Sequence, residues 1–67
     1  MVRFLEYFTV GARAAYVRLD DISAIVTDYT ASTNSPCSRI YVQSDPACQL
    51  QAEGMPGDVL MGRIITR

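Results

Sequence analysis

The sequence predicts a small α+β fold, a curled antiparallel β-sheet of about five strands with one C-terminal α-helix packed on it. Three observations carry this expectation. Apolar and polar residues alternate through several short runs, clusters of turn-forming residues separate those runs, and the apolar period lengthens after Gly54 to that of a helix.

Val2, Phe4, Phe8 and Val10 fall on one side of an alternating run and Arg3, Leu5, Tyr7 and Thr9 on the other, which predicts a strand over 2–10. Glu6 interrupts the first face while Leu5 and Tyr7 enrich the second, so the strand is expected to be covered on both sides or to lie at a subunit contact. Gly11 and Ala12-Arg13 supply a hairpin turn. A second strand follows over 14–19, with Tyr16 and Arg18 opposing Val17 and Leu19. Asp20 is placed to cap a single helical turn over 19–25, where Ile22 and Ile25 fall three apart. The β-branched and aromatic run 25–30 predicts a third strand, and Ala-Ser-Thr-Asn-Ser-Pro over 31–36 a hairpin tip.

A fourth strand is expected over 38–43, with Ile40 and Val42 on one face and Arg39, Tyr41 and Gln43 on the other. Ser44-Asp45-Pro46-Ala47 is a turn, and the last strand, 48–52, carries Cys48, Leu50 and Ala52 inward. Met55, Val59, Leu60 and Ile64 then recur at helical spacing behind Pro56, which suits a first turn. Asp58 near the start and Arg63 and Arg67 near the end agree with the dipole of a helix over 56–65. Gly57 and Gly62 weaken such a helix by up to about 1 kcal/mol each relative to alanine. Gly62 reads either as tolerated or as the passage of another backbone.

Length and composition bound the function. The 67 residues make one domain, 1–67, too small for a large core, so a staple or a partner is expected. Two cysteines and no histidine cannot close a zinc site within one chain, nor do they make a disulfide framework. In the expected register Cys37 lies opposite Gly54 and Cys48 opposite Gln43, which leaves both thiols free. Self-association, as a homodimer or larger ring, is therefore the expected stabiliser, and 49% hydrophobic content agrees with it.

Chemistry is restricted in the same way. The absence of histidine and lysine removes the common nucleophile–base pairs, and adjacent Asp20 and Asp21 point in different directions, so an enzyme is not expected. Asp20, Asp21 and Asp28 lack calcium-loop spacing, and no metal or cofactor is expected. A formal net charge of −1 and the lack of a recognition-helix motif argue against duplex nucleic acid. No apolar run approaches a membrane span and no basic-then-apolar leader opens the sequence, so a soluble cytoplasmic protein is expected.

All six basic residues are arginine, which reflects either codon bias or planar, bidentate anion recognition. Tyr16 with Arg18, and Arg39 with Tyr41, fall on like faces of their strands. These two pairs are the candidate ligand-binding residues, able to stack a base and hold a phosphate, or simply to form a solvated outer face. The segment 55–58 resembles a helix N-terminus open to an anion.

The extended Tyr16-Val17-Arg18-Leu19, the following Asp20-Asp21-Ile22-Ser23-Ala24-Ile25, two further strands and a terminal segment with Val59-Leu60 and Ile64-Ile65 together resemble the small flagellar FlbD-like proteins and compact bacterial and phage regulators. The likeness is one of pattern. Asp20-Asp21 stands where those proteins carry an asparagine, and Asp45-Pro46 where they carry a glycine, so no functional residue is carried over. The resemblance implies a small regulatory or binding protein.

Two functions follow as expectations. One is an oligomeric, non-enzymatic regulator that binds a partner macromolecule, such as a phage-encoded modulator of a host protein acting in the host cytoplasm. The other is an oligomeric sponge whose subunit junctions, lined by Tyr16, Arg18, Arg39 and Tyr41, sequester a nucleotide-like anionic small molecule.

Overall fold

The alternating N-terminal run forms strand β1 (Arg3–Phe8). In the computed structural model, which describes residues 1–67, this strand is the middle of a three-stranded antiparallel sheet. One neighbour is β2 (Ala14–Arg18), reached through a tight turn in which Thr9 N donates to Arg13 O at 2.9 Å and Arg13 N to Thr9 Oγ1 at 3.2 Å. That turn forces Ala12 to φ 62°, the left-handed region that L-residues disfavour.

The chain leaves β2 through a 3₁₀ turn at Leu19–Asp21 and enters β3 (Ile22–Tyr29), which begins earlier than the sequence pattern indicates. Asp20 does not cap the turn; its carboxylate lies 3.5 Å from Arg18 Nε instead. Asp21 anchors a distant turn, accepting Ser44 N at 2.9 Å and Ser44 Oγ at 2.5 Å. Strands β3, β4 (Pro36–Val42) and β5 (Gln49–Glu53) make a second three-stranded sheet in that order. Cys37 pairs with Glu53, one residue from the expected register, and both cysteines are free thiols.

The C-terminal helix is corrected by the structure. Only α1 (Pro56–Leu60) is helical, and residues Ile64–Thr66 form a sixth strand, β6, along the other edge of β1. The fold is therefore two three-stranded antiparallel sheets with one short helical turn, and not a single sheet closed by a helix. Two physical effects outweigh the helical spacing. Residues Ile64-Ile65-Thr66 are all β-branched, and β1 offers them an edge whose polar groups need partners. Val2 and Arg67 exchange N–H···O bonds of 2.8 Å in both directions, and Glu6 N donates to Arg63 O at 2.8 Å. Gly62 is the pivot: a Cβ placed there would meet Glu6 O at 2.7 Å and Val59 O at 3.0 Å. Of the two readings of Gly62, close backbone passage is the one realised.

The inner faces of the two sheets share one core. Leu5, Tyr7 and Val17 come from the first sheet, Ile40, Val42 and Ala52 from the second, and Val59 from α1. A bridge between Thr9 and Ala52 ties the sheets at one corner. Ser38 is fully buried among these groups and is satisfied by donating to Gly54 O at 2.8 Å. The inward face of β1 is thus the one bearing Leu5 and Tyr7, which turns Phe4, Glu6 and Phe8 outward. No helix is long and apolar enough to cross a membrane.

Candidate ligand-binding face

Directly opposed residues of an antiparallel pair lie on the same face, so the registers define the outer surface of the β2-β1-β6 sheet. Tyr16 lies opposite Glu6, Arg18 and Ile65 lie on either side of Phe4, and Ala14 lies opposite Phe8. The Glu6–Arg63 backbone bond sets Arg63 beside Glu6, and the Val2–Arg67 pair extends the row to Arg67. Aromatic and aliphatic groups therefore occupy the middle of this face, with arginines on both flanks.

Phe4, Tyr16, Ile65 and Arg67 line a pocket of about 210 Å³, three apolar walls and one guanidinium. Ligand pockets for drug-sized molecules run from about 300 Å³ upward, so this one suits a single flat ring. Tyr16 Oη donates to Glu6 Oε2 at 2.9 Å, which holds the ring in place over the sheet. That hydrogen bond, with the negative charge of Glu6, raises the Tyr16 pKa above its usual value, while Arg63 and Arg67 pull it down. Both arginines therefore lie within electrostatic reach of the ring.

Charge is strongly segregated. Residues 1–18 and 61–67, which contain this sheet, hold five arginines against one glutamate, a net of +4. The rest of the chain holds Arg39 against six carboxylates, a net of −5. The overall −1 is the sum of these two parts, which meet where Asp20 lies 3.5 Å from Arg18, and the local field decides what an anion meets at this surface.

The structure places the second candidate pair elsewhere. Arg39 and Tyr41 lie on β4, in the middle of the other sheet, with no hydrogen bond or ion pair to Tyr16 or Arg18. Arg39 is already engaged: its Nη2 and Nε lie 2.6 and 3.1 Å from Asp28 Oδ2, and its Nη1 donates to Tyr41 Oη at 3.4 Å. The Tyr41 hydrogen bond and the Asp28 contacts raise the Arg39 pKa; the Tyr29 backbone N–H and Arg39 lower that of Asp28. A patch uniting all four candidate residues does not form within one chain.

Nor do the acidic residues converge on a cation, since no group of three His, Cys, Asp or Glu side chains could hold one. The anion-binding reading of 55–58 weakens as well, because α1 has only five residues and a single turn carries little dipole.

Sequence reasoning found Tyr16 and Arg18 but missed Phe4, Phe8, Ile65, Arg63 and Arg67. The available signals were the alternate placement of Phe4 and Phe8 around Glu6 and the β-branched 64–66, both masked by assigning Arg63 and Arg67 to a helix end. Family models, curated proteins and solved structures were compared with the chain, and none matches. The FlbD-like resemblance accordingly rests on the sequence pattern alone.

Proposed function

We propose that this chain is a non-enzymatic binding protein that takes a nucleotide-like anion on the outer face of the β2-β1-β6 sheet. One observation carries the reading: a ring-sized apolar pocket formed by Phe4, Tyr16 and Ile65 is closed by Arg67 on the net-positive part of the chain. Tyr16 and Phe4 stack the base, Ile65 forms the floor, and Arg67 with Arg63 holds phosphate oxygens, Arg18 being engaged by Asp20. Arg39, neutralised by Asp28, has no part in this pocket.

The test is a thermal melt with a panel of nucleotides and cyclic dinucleotides. A ligand at a hundred times its Kd adds about 2.7 kcal/mol. In a domain of this size that is a rise in Tm on the order of 10 °C. Tyr16→Ala and Arg67→Gln should each abolish the rise, and no rise with any member of the panel would refute the reading.

The second reading, a regulator that docks on a protein, is favoured by the β3 edge. The strand Ile22–Tyr29 pairs on one side only, seven of its residues with β4 and Ser23 skipped at a bulge, and from Ala24 to Tyr29 it carries neither bulge, lysine nor proline to block further pairing. Such an edge accepts a strand from a second copy or from a host protein if the chain is a phage-encoded modulator working in the cytoplasm. Light scattering after size-exclusion chromatography reads the self-pairing directly, and a monomer at micromolar concentration would remove it.

A further inference from the structure

We infer that the β2-β1-β6 face is built for single-stranded nucleic acid and takes two or more consecutive nucleotides. The inference rests on the reading above and extends it beyond the single pocket. Phe8 is the reason. The residue is 52% exposed, it points to the same face of β1 as Phe4, and it is not among the residues lining the pocket. A mononucleotide seated between Phe4 and Tyr16 leaves Phe8 uncontacted, and Phe8 adds a third exposed ring to the face that carries the other two.

The spacing gives that third ring a use. Phe4 and Phe8 are four residues apart on a strand rising about 3.3 Å per residue, so their Cα atoms are separated by roughly 13 Å. Tyr16, opposite Glu6, stands midway on the neighbouring strand and is 53% exposed. The three rings therefore form a zigzag row across β1 and β2 with diagonal steps of roughly 7 to 8 Å, each able to take one unstacked base. Arg18 flanks the row on β2, Arg63 and Arg67 flank it on the β6 side, and Arg13 sits in the turn that follows Phe8. Cations on both sides of an aromatic row match a strand whose bases face the sheet and whose phosphates run along its margins.

Charge selects this occupant over an apolar peptide or the same face of a second copy, because Arg18, Arg63 and Arg67 brought against themselves would repel. Two carboxylates lie here: Glu6 accepts from the Tyr16 hydroxyl and orients that ring, and Asp20 lies 3.5 Å from Arg18 Nε at the β2 end of the face. Duplex fits less well, since paired bases hide their faces from an aromatic row and α1, five residues long, is too short for a recognition helix.

The experiment is fluorescence anisotropy with labelled ten-nucleotide poly-dT and poly-rU, set beside a hairpin duplex and unlabelled TMP and UMP as competitors, using the full chain. The expected result is an oligomer Kd at least about tenfold below that of the mononucleotide. Its salt slope should be about −0.7 for each phosphate held, and Arg13→Gln or Arg63→Gln should each make the slope shallower by that amount. Phe8→Ala should weaken oligomer binding about fivefold or more and leave mononucleotide binding unchanged. Phe8→Leu, which keeps bulk but loses the π-face, should weaken it similarly and guards against misfolding of the alanine variant. Tight binding of either the RNA or the DNA oligomer supports the inference. Mononucleotide binding with no gain for the oligomer and no effect at Phe8 overturns it and spares the single-pocket reading; no binding of either kind overturns both. Duplex bound as tightly as single strand, or a dimer that Phe8→Ala dissociates without any oligomer binding, also overturns it.

Discussion

Substituting the two glycines near the C-terminus should move stability in opposite directions. In Gly62→Ala the new methyl carbon would lie 2.7 Å from Glu6 O and 3.0 Å from Val59 O, both backbone atoms, with Leu5 Cδ1 at 3.5 Å. Favourable contact begins at about 3.5 Å, and neither oxygen can swing aside as a side-chain tip would. Glu6 belongs to the central strand of its sheet, paired on both edges, so relief requires shifting β1 against β6. Forced overpacking of this kind costs about 1 to 3 kcal/mol. A chain of this size has roughly 3 to 10 kcal/mol of total stability, so the loss is a large share of it. Gly57 is the control: a Cβ there meets nothing within 4 Å, and its backbone is helical. Gly57→Ala should therefore stabilise by about 0.4 to 1 kcal/mol, chiefly by narrowing the unfolded ensemble. Urea titration followed by far-ultraviolet circular dichroism reads both changes as shifts of midpoint at constant slope. A melt should show Gly62→Ala lower by about 4 to 8 °C per kcal/mol lost. If Gly62→Ala stays within 0.5 kcal/mol of the wild type, the close passage at the α1–β6 junction is not what holds the chain there and the account of the sixth strand fails.

Two further outcomes follow from the same geometry. Ala12→Gly should stabilise by about 1 kcal/mol, because the β1–β2 turn holds Ala12 at φ 62° and glycine adopts that region without penalty; a lower melting temperature for the variant would contradict it. Asp28 has a folded pKa below its ordinary 3.8, through the Tyr29 N–H and Arg39. A depressed carboxylate stabilises the fold above the unfolded value and loses that contribution as pH falls through the folded one. Asp28→Asn should thus be less stable than the wild type at neutral pH, with the gap narrowing below about pH 4; a gap in urea midpoint that stays constant from pH 7 to 3 would refute the pairing.

Much of the sheet was legible because strand signals are local. Alternation at 38–43, the turn at Ser44–Ala47 and the polar tip at 31–36 each depend on residues within a few positions, and β4, its turns and β5 follow them closely. The same alternation in β1 was visible, but which face turned inward was not, since Val2, Phe4 and Phe8 are as apolar as Leu5 and Tyr7. The second sheet and α1 settled it by packing Ile40, Val42, Ala52 and Val59 against the Leu5–Tyr7 face. The arginine and tyrosine pairs were found as pairs, yet their sharing of one surface depended on sheet membership, which the pattern of each strand does not contain.

Local chemistry by itself determined the first five strands, the hairpin turns, the free thiols and the lack of a common catalytic base. Period and propensity act over neighbouring residues, and composition needs no coordinates. Tertiary structure alone decided that residues 64–66 extend along β1 and do not continue a helix. It also decided that Arg63 and Arg67 join Phe4, Phe8 and Tyr16 on one positive face. The reason is physical: a backbone edge with unpaired N–H and C=O groups, some sixty residues away in sequence, recruits the last strand, and no local pattern records that such an edge is waiting.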